Sequence, residues 1–293
     1  MKISLVIPTK NRLGTLRHCI QTCLESNYQD CEIIVSNNNS EDGTGQYLSN
    51  LNDERLKIVN TNAPLSMRAN FEFALDQTTC DYVVFIGDDD GITRFGLETL
   101  SYLLRNTGAD AVSWTPIPFV WPGTAHAGAL SSLVLKSRNF SQKYQTVNHE
   151  KIFEKFLNGT IESYLEGAKI YHGSVSRKVV NRVKSKANGL YFGAMSPDVF
   201  VSIANLKFLE KFIKTGCAVT ISGKSSNSNG WANIKASGNR ERADLFFKDE
   251  ETSAIPDPHS IIDLKIRSMR THELDALMLV NESLFGNQLQ IDY

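Results

Sequence analysis

Tyr82-Val83-Val84-Phe85-Ile86-Gly87-Asp88-Asp89-Asp90-Gly91 is the stretch on which the fold turns. Five β-branched or aromatic residues make a run whose length and composition predict a buried strand. The run stops at a glycine, and three carboxylates follow before a second glycine. Adjacent carboxylates repel one another, so a strand end that carries three of them needs a cation or an array of hydrogen-bond donors. Hard divalent ions take oxygen ligands and bridge diphosphates. The trio therefore reads either as a metal and diphosphate site or as a solvated acidic turn capping a helix near Gly96. Its place in the surrounding array favours the site.

Upstream of this stretch the same theme occurs three times. The apolar runs Ile3–Ile7, Glu32–Val35 and Leu56–Val59 each end in a polar loop and then an amphipathic segment. Leu13, Leu16, Ile20, Cys23 and Leu24 fall at helical spacing, as do Tyr47, Leu48 and Leu51, and a helix is expected over 67–75. Downstream, a helix is expected over 96–105 and a fifth strand at Ala111–Trp114. Strands alternating with helices predict an α/β fold with a mostly parallel sheet. Right-handed crossovers bring the C-terminal ends of parallel strands to one edge. The loops TKNR (9–12), SNNNSEDGT (36–44), NTNAPLSMRAN (60–70) and GDDDG (87–91) all follow strands, so they are expected to meet along one rim, where such sheets bind ligands.

Four of these segments, SLVIPTKNR, VSNNNSEDGT, the Asn62–Asn70 pair and FIGDDDG, occur in an order and at a spacing that resemble the nucleotide-binding half of the family 2 glycosyltransferases. The resemblance covers residues 1–115 and implies a GT-A fold and inverting sugar transfer from a nucleotide-sugar donor. It implies that Pro8, Thr9, Arg12, Asn38, Asn70, Asp88 and Asp89 line the donor nucleotide, with Asn38 facing the base and Asp88 at the ribose. It also implies that Asp90, with Asp88, coordinates a divalent metal, Mn2+ or Mg2+, that bridges the diphosphate. One departure stands out: the family commonly has aspartates where this chain has Asn37 and Asn38. A carboxylate accepts from the uracil N–H, whereas an asparagine either accepts or donates. UDP remains the favoured nucleotide. Taken by themselves, residues 37–39 also suit a turn and helix cap, with Ser40, Asp42 and Gly43 fitting that role.

The second half is less regular. Loops and short strands are expected over 116–148, helices over 149–158, 177–186 and 197–212, a strand at 218–221, the polar loop SGKSSNSNG (222–230) and a helical stretch over 261–285. Residues 1–115 are thus read as the nucleotide-sugar half, 116–222 as the acceptor-binding half of the same domain, and 223–293 as a loop and helical C-terminal extension. Inversion needs a general base for the acceptor hydroxyl. Asp198 in MSPDVF is the candidate: it follows Pro197 in the first turn of a helix with Ser196 at the N-cap, where the helix dipole favours the ionised form. Helix capping is the competing role for Asp198, and a plain surface loop is the competing reading of 222–230. His172 would face the same cleft or serve as a structural histidine. His259 would be a C-terminal metal ligand, Arg68 and Arg177 would pair with phosphate or stay solvated, Trp114 belongs to the core, and Trp231 is a better sugar-stacking candidate than Trp114 or Trp121.

Bulk properties remove other classes. The 293 residues are 41% hydrophobic and 22% charged with a net charge of −1, which gives no basic field for nucleic acid. No run is long enough for a bilayer span, and Met1–Arg12 reads as a strand rather than a signal peptide, so the expected place is the cytoplasm with at most peripheral contact at the inner face of the membrane. Five cysteines without a CxxC pair predict neither a disulfide framework nor a thiolate metal site. A dehydrogenase would need a glycine-rich turn after the first strand, and Pro8-Thr9-Lys10-Asn11-Arg12 stands there instead. A nucleotide-sugar-binding protein without turnover, motivated by Asn37–Asn39, and a nucleotidyltransferase are the alternatives. The expected partners are a UDP-sugar and a glycan or lipid-linked saccharide acceptor, as in surface polysaccharide assembly.

Overall fold

The computed structural model describes residues 1–123, 131–141, 143–226, 247–248, 250–264 and 268–292. The first strand, β1 (Ile3–Thr9), is buried along its whole length. Ile3, Leu5 and Ile7 point to one face of the sheet and Val6 to the other, the period-two alternation of a strand. Each of these side chains contributes roughly 1.5–3 kcal/mol by leaving water. Strands β2 (Cys31–Asn37), β3 (Leu56–Asn60) and β4 (Tyr82–Phe85) run parallel to β1, with Pro8 opposite Ser36 and Thr9 opposite Asn37. This register sets the ends of β1 and β2 side by side, as the loop pattern predicts.

The large sheet continues past β4 in the order β3-β2-β1-β4-β10-β6-β11-β9. Here β6 is Ala111–Trp114, β9 Tyr144–Val147, β10 Gly173–Ser176 and β11 Phe212–Thr215. Strand β10 is antiparallel to both β4 and β6, and β9 is antiparallel to β11. Helices α1 (Leu13–Leu24) and α4 (Gly96–Thr107) cover one face, and α3 (Met67–Asp76), α5 (His149–Leu157), α6 (Arg177–Lys186), α7 (Pro197–Ala204) and α8 (Met269–Phe285) cover the other. Helix α2 is the short segment Thr44–Ser49. A small sheet, β5-β12-β7-β8, stands beside the rim, built from Gly91–Ile92, Thr220–Lys224, Ile117–Val120 and Ser132–Leu133. Among the described residues no helix is long and apolar enough to cross a membrane.

Three expected elements differ in extent. The helix expected over 197–212 ends at Ala204, and a 3-10 turn over 205–207 follows. Phe212 instead opens β11, because the Asp110 carboxylate takes the Glu210 and Lys211 N–H groups and delivers the chain to the sheet. Leu206 and Leu209 still reach the core, so the apolar spacing continues beyond the true helix end. The strand expected at 218–221 lies two to three residues later, drawn there by pairing of Ile221–Lys224 with Ile117–Val120. The last helix begins only at Met269; Ile261 and Ile262 point their N–H groups at Asp275 rather than continuing it. Ser196 holds the N-cap position of α7, but its hydroxyl bonds His272 Nδ1 at 2.7 Å and makes no cap bond.

Glu72 ties the first half of the chain to the second. It is buried on α3 and accepts from the Tyr191 and Phe192 N–H groups and from Lys184 Nζ. Removing the acceptor strands two buried backbone donors. Glu72→Ala is therefore expected to cost about 3 kcal/mol in urea unfolding, with Glu72→Gln costing clearly less; equal losses for the two variants would contradict this role.

Candidate active site

Two of the rim loops, those after β1 and β4, meet around Asp88, and the loop after β2 joins the first of them through Ser40 and Asp42. Thr9 Oγ1 donates to Asp88 Oδ2 at 2.7 Å, and Arg12 Nη1 reaches Asp88 Oδ1 at 3.0 Å. Arg12 stands at the N-cap of α1, so the turn after β1 aims a cation across the rim at the loop after β4. Burial opposes its charge, but Asp88 and Asp89 outweigh it and raise the guanidinium's pKa.

Each aspartate of the trio has a different set of donors. Asp89 Oδ2 accepts from Ser225 Oγ at 2.6 Å. Burial, followed by the charges of Asp90 and Asp88, pushes the Asp89 pKa up to about 7, against the pull of Arg12 and Ser225. Asp90 accepts from Tyr171 OH at 2.7 Å, from Gly87 N–H at 2.6 Å and from Gly223 N–H at 2.8 Å, with His172 Nε2 at 3.3 Å. Burial works against its ionisation, yet His172, Tyr171 and Gly87 together hold its pKa below the ordinary value. His172 is buried between Asp90 and Thr220: its Nδ1 meets Thr220 Oγ1 at 2.8 Å, and its backbone is left-handed, with φ of 49°. Such strain in a non-glycine residue persists only where surrounding contacts hold it.

Asp198 stands on α7, within reach of the same tyrosine that binds Asp90. Its Oδ2 accepts from Tyr164 OH at 3.0 Å, and Tyr171, which binds Asp90, also feels its charge. The helix start favours the ionised form of Asp198, and burial works against it. Burial raises its pKa and outweighs the bonds from Tyr164, from its own N–H and from the Val199 N–H, as well as the field of Lys169. Lys169 is itself buried, donates to the Trp114 carbonyl at 3.2 Å, and has a pKa lowered to about 8 by burial and by Lys214.

A family model described as Glycosyl transferase family 2 matches residues 4–149. The chain belongs to glycosyl transferase family 2. Among its relatives, the Campylobacter jejuni GalNAc(5)-diNAcBac-PP-undecaprenol beta-1,3-glucosyltransferase is 36% identical over 102 residues, 34% of this chain and 33% of that protein. Glycosyltransferase GlyA of Streptococcus pneumoniae is 32% identical over 102 residues, 34% of this chain and 14% of its own length. The match therefore spans a third or less of these relatives. The crystal structure of S. aureus TarS 1-349 in complex with UDP-GlcNAc is similar with a TM-score of 0.59 and 13% identity, over 88% of this chain and 68% of that one. Mannosyltransferase PcManGT from Pyrobaculum calidifontis, in complex with GDP-Man and Mn2+, gives 0.51 and 14% over 96% and 73%. These likenesses show the GT-A fold.

Within this family 2 chain the departure at Asn38 has a structural reason. Its Oδ1 accepts from the Leu65 N–H and from Thr61 Oγ1, while its Nδ2 donates to the Leu65 carbonyl at 2.8 Å. The amide thus clamps Leu65 from both sides, which a carboxylate, lacking a donor, cannot do. Both acceptor positions of Oδ1 are filled, and among the described residues Nδ2 makes one bond. Asn37 bonds Asn60, and Asn70 accepts from Ser36 Oγ at 2.6 Å, linking α3 to β2. Pro8 is buried in β1 and can offer only its backbone carbonyl, as an acceptor.

The trio's fit to a metal follows from its unclaimed lone pairs. Among the described residues, Asp88 keeps one on each oxygen and Asp90 keeps one on Oδ1. Among the described residues no three His, Cys, Asp or Glu side chains converge on a single metal position. One or two carboxylates completed by phosphate oxygens and water is the arrangement Mg2+ favours, so the donor set fits a metal that arrives with its diphosphate.

Other candidates lie elsewhere. Arg68 is buried and neither solvated nor facing the trio; its Nε bonds Asp257 and fastens the C-terminal segment to α3. Arg177 bonds the Cys80 carbonyl and Thr78 Oγ1 at the opposite end of β4. His259 is exposed, near Asp275. Trp114 is core, with its Nε1 on Thr220; Trp121 donates to the Asp89 carbonyl at 2.9 Å; Trp231 lies outside the described residues, as do 227–230 of the polar loop. Tyr164, Lys169 and Tyr171 carry no motif that would have singled them out, whereas Gly223 and Ser225, which bond Asp90 and Asp89, belong to the polar loop 222–230.

Gly223 is packed against the trio: an added Cβ would sit 1.7 Å from the Asp89 carbonyl oxygen and 2.7 Å from Trp121 Nε1. Gly223→Ala should cost roughly 1–3 kcal/mol in denaturant unfolding. Gly14→Ala, where a Cβ meets nothing within 4 Å, should be neutral or stabilising. A Gly223→Ala protein as stable as the wild type would overturn the packing described.

Proposed function

We propose that the protein is an inverting glycosyltransferase that moves a sugar from a nucleoside-diphosphate sugar, with UDP-sugar favoured, to a glycan or lipid-linked acceptor in surface polysaccharide assembly. The observation that supports this reading is that Tyr171 bonds Asp90, next to the Thr9–Arg12–Asp88 cluster, and also feels the charge of Asp198, which Tyr164 holds; we read the first group as the donor side and the second as the acceptor side. We read residues 1–115 as the donor half and 116–222 as the acceptor half.

Arg12 orients the donor by attracting its pyrophosphate. Asp88 and Asp90 would hold Mn2+ or Mg2+, which when bound offsets charge on the leaving diphosphate. Asp198 takes the proton of the acceptor hydroxyl as that oxygen bonds to the anomeric carbon; the bond from that carbon to the diphosphate oxygen breaks on the opposite face, and the nucleoside diphosphate leaves. Burial suits Asp198 to this task, since a carboxylate with raised proton affinity is a better base. Tyr164 holds the carboxylate in place, and Lys169 keeps a positive field beside it. Cytoplasmic action at the inner membrane face is consistent with a lipid-linked acceptor.

Two variants test the assignment. Asp198→Asn should keep donor affinity and lose about 10²–10⁴-fold in kcat. Asp198 must be ionised to accept a proton, so kcat/KM should fall as pH drops through its raised pKa. Tyr164→Phe removes a bond that lowers that pKa, so the acidic limb should move to higher pH. Full turnover in Asp198→Asn, or an unmoved limb in Tyr164→Phe, would remove Asp198 as the base. Failure of a correctly folded wild type to transfer from any nucleotide sugar would favour binding without turnover.

A further inference from the structure

Away from the acidic pocket, one edge of the molecule presents a second feature. Strand β8 is the outer strand of the small sheet and β9 the outer strand of the large one. The chain between them leaves Leu133, Val134, Leu135, Phe140 and Tyr144 exposed, Phe140 to 64% and Leu135 to 54%. The backbone beneath is tied down at several points. Val134 N–H donates to the Pro118 carbonyl, Lys136 N–H to Asn139 Oδ1, Ala218 N–H to the Asn139 carbonyl, and Gly216 N–H to the Lys143 carbonyl. The apolar side chains are therefore held outward by a bonded frame. Thr93 Oγ1 also bonds the Ala218 carbonyl, which brings the start of α4 to the same loop, with Phe95 exposed beside Arg94. Contiguous apolar surface on sheet edges is normally charged, bulged or covered.

Charge indicates what covers it. From Ala111 to His149 the sequence contains no Asp or Glu, and Lys136, Arg138 and Lys143 fall inside that stretch. Lys136 and Lys143 are exposed beside the apolar residues. We propose that this face docks the protein on an anionic lipid bilayer, with Leu135, Phe140 and Tyr144 entering the headgroup boundary while Lys136 and Lys143 meet lipid phosphate. Aromatic and aliphatic side chains interleaved with lysines, with no acidic residue in the same stretch of chain and Glu98 the one carboxylate of the first turn of α4, match that interface. A second copy of the chain fits less well, because a two-fold contact would bring two sets of the same lysines together. The inference is independent of sugar transfer, since vesicle binding is read without turnover.

The test is sedimentation of the full chain with vesicles of phosphatidylglycerol and phosphatidylethanolamine, against phosphatidylcholine alone, over a range of salt. The wild type should pellet with the anionic vesicles at low salt and be released as salt rises. Lys136→Glu with Lys143→Glu should weaken binding at least about 25-fold, at roughly fivefold per basic residue lost. Leu135→Ser with Phe140→Ser should remove the binding that survives at high salt. Circular dichroism melts matching the wild type would show that both variants fold. Wild-type protein left in the supernatant, equal binding to both lipid compositions, or undiminished binding of the lysine double variant would overturn the proposal. So would a dimer, seen by light scattering, that the Leu135→Ser/Phe140→Ser variant breaks while the wild type ignores vesicles.

Discussion

Three consecutive carboxylates at the end of one strand set the terms for the rest of the cleft. Left to themselves, Asp88, Asp89 and Asp90 would repel one another at close range in a poorly solvated place. The fold answers with a separate donor set for each: Thr9 and Arg12 for Asp88, Ser225 for Asp89, and Tyr171, Gly87, Gly223 and the His172 ring for Asp90. These donors come from β1, the turn after it, the segment before β10 and the small sheet, so meeting the charge of one loop assembles four parts of the chain. The compensation is incomplete, as the elevated proton affinity of Asp89 shows. A rim that still repels negative charge within itself and keeps lone pairs free has the electrostatics expected where a cation and a polyanion arrive together.

The scaffold makes this possible by burying both faces of the large sheet. The apolar positions of β1 divide between two core clusters, one under α1 and α4 and one under the helices of the second half. Two antiparallel insertions in an otherwise parallel sheet have consequences for the site. Strand β10 runs back between β4 and β6, and so the residues just before it, Lys169 to His172, arrive at the rim beside the acidic loop. A chain entering in the opposite sense would present Ser176 there instead. The strained backbone at His172 and the close packing at Gly87, where a Cβ would meet Tyr171 OH at 2.6 Å, mark how tightly that arrival is constrained.

The first half was legible because its signals are local. Strand runs, loop chemistry and helical spacing over residues 1–115 each follow from neighbours in sequence, and the parallel register then fixes which loops meet. Asp198 was legible as a candidate from its place after Pro197, but not its proton affinity, since burial is a property of the packed cleft. The helix expected over 197–212 failed at its end because Leu206 and Leu209 preserve apolar spacing through a 3-10 turn, while the signal for termination sits at Asp110, about a hundred residues away. Tyr164, Tyr171 and Lys169 were invisible for a similar reason: each acquires its role from a partner distant in sequence. Asn38 illustrates the converse. Its departure from the family's usual aspartate could be seen, but its cause, a two-sided clamp on Leu65, required the third strand's loop to be in place.

Titration calorimetry of UDP against the wild type, with Mn2+ and then with a chelator, addresses the rim most directly, with Asp90→Asn and Arg12→Ala alongside. If the acidic trio and Arg12 together receive a cation-bound pyrophosphate, UDP binds with Mn2+, loses most of its affinity under chelation, and is weakened by both substitutions in otherwise folded protein. Equal UDP affinity with and without metal, unaffected by either substitution, would contradict it.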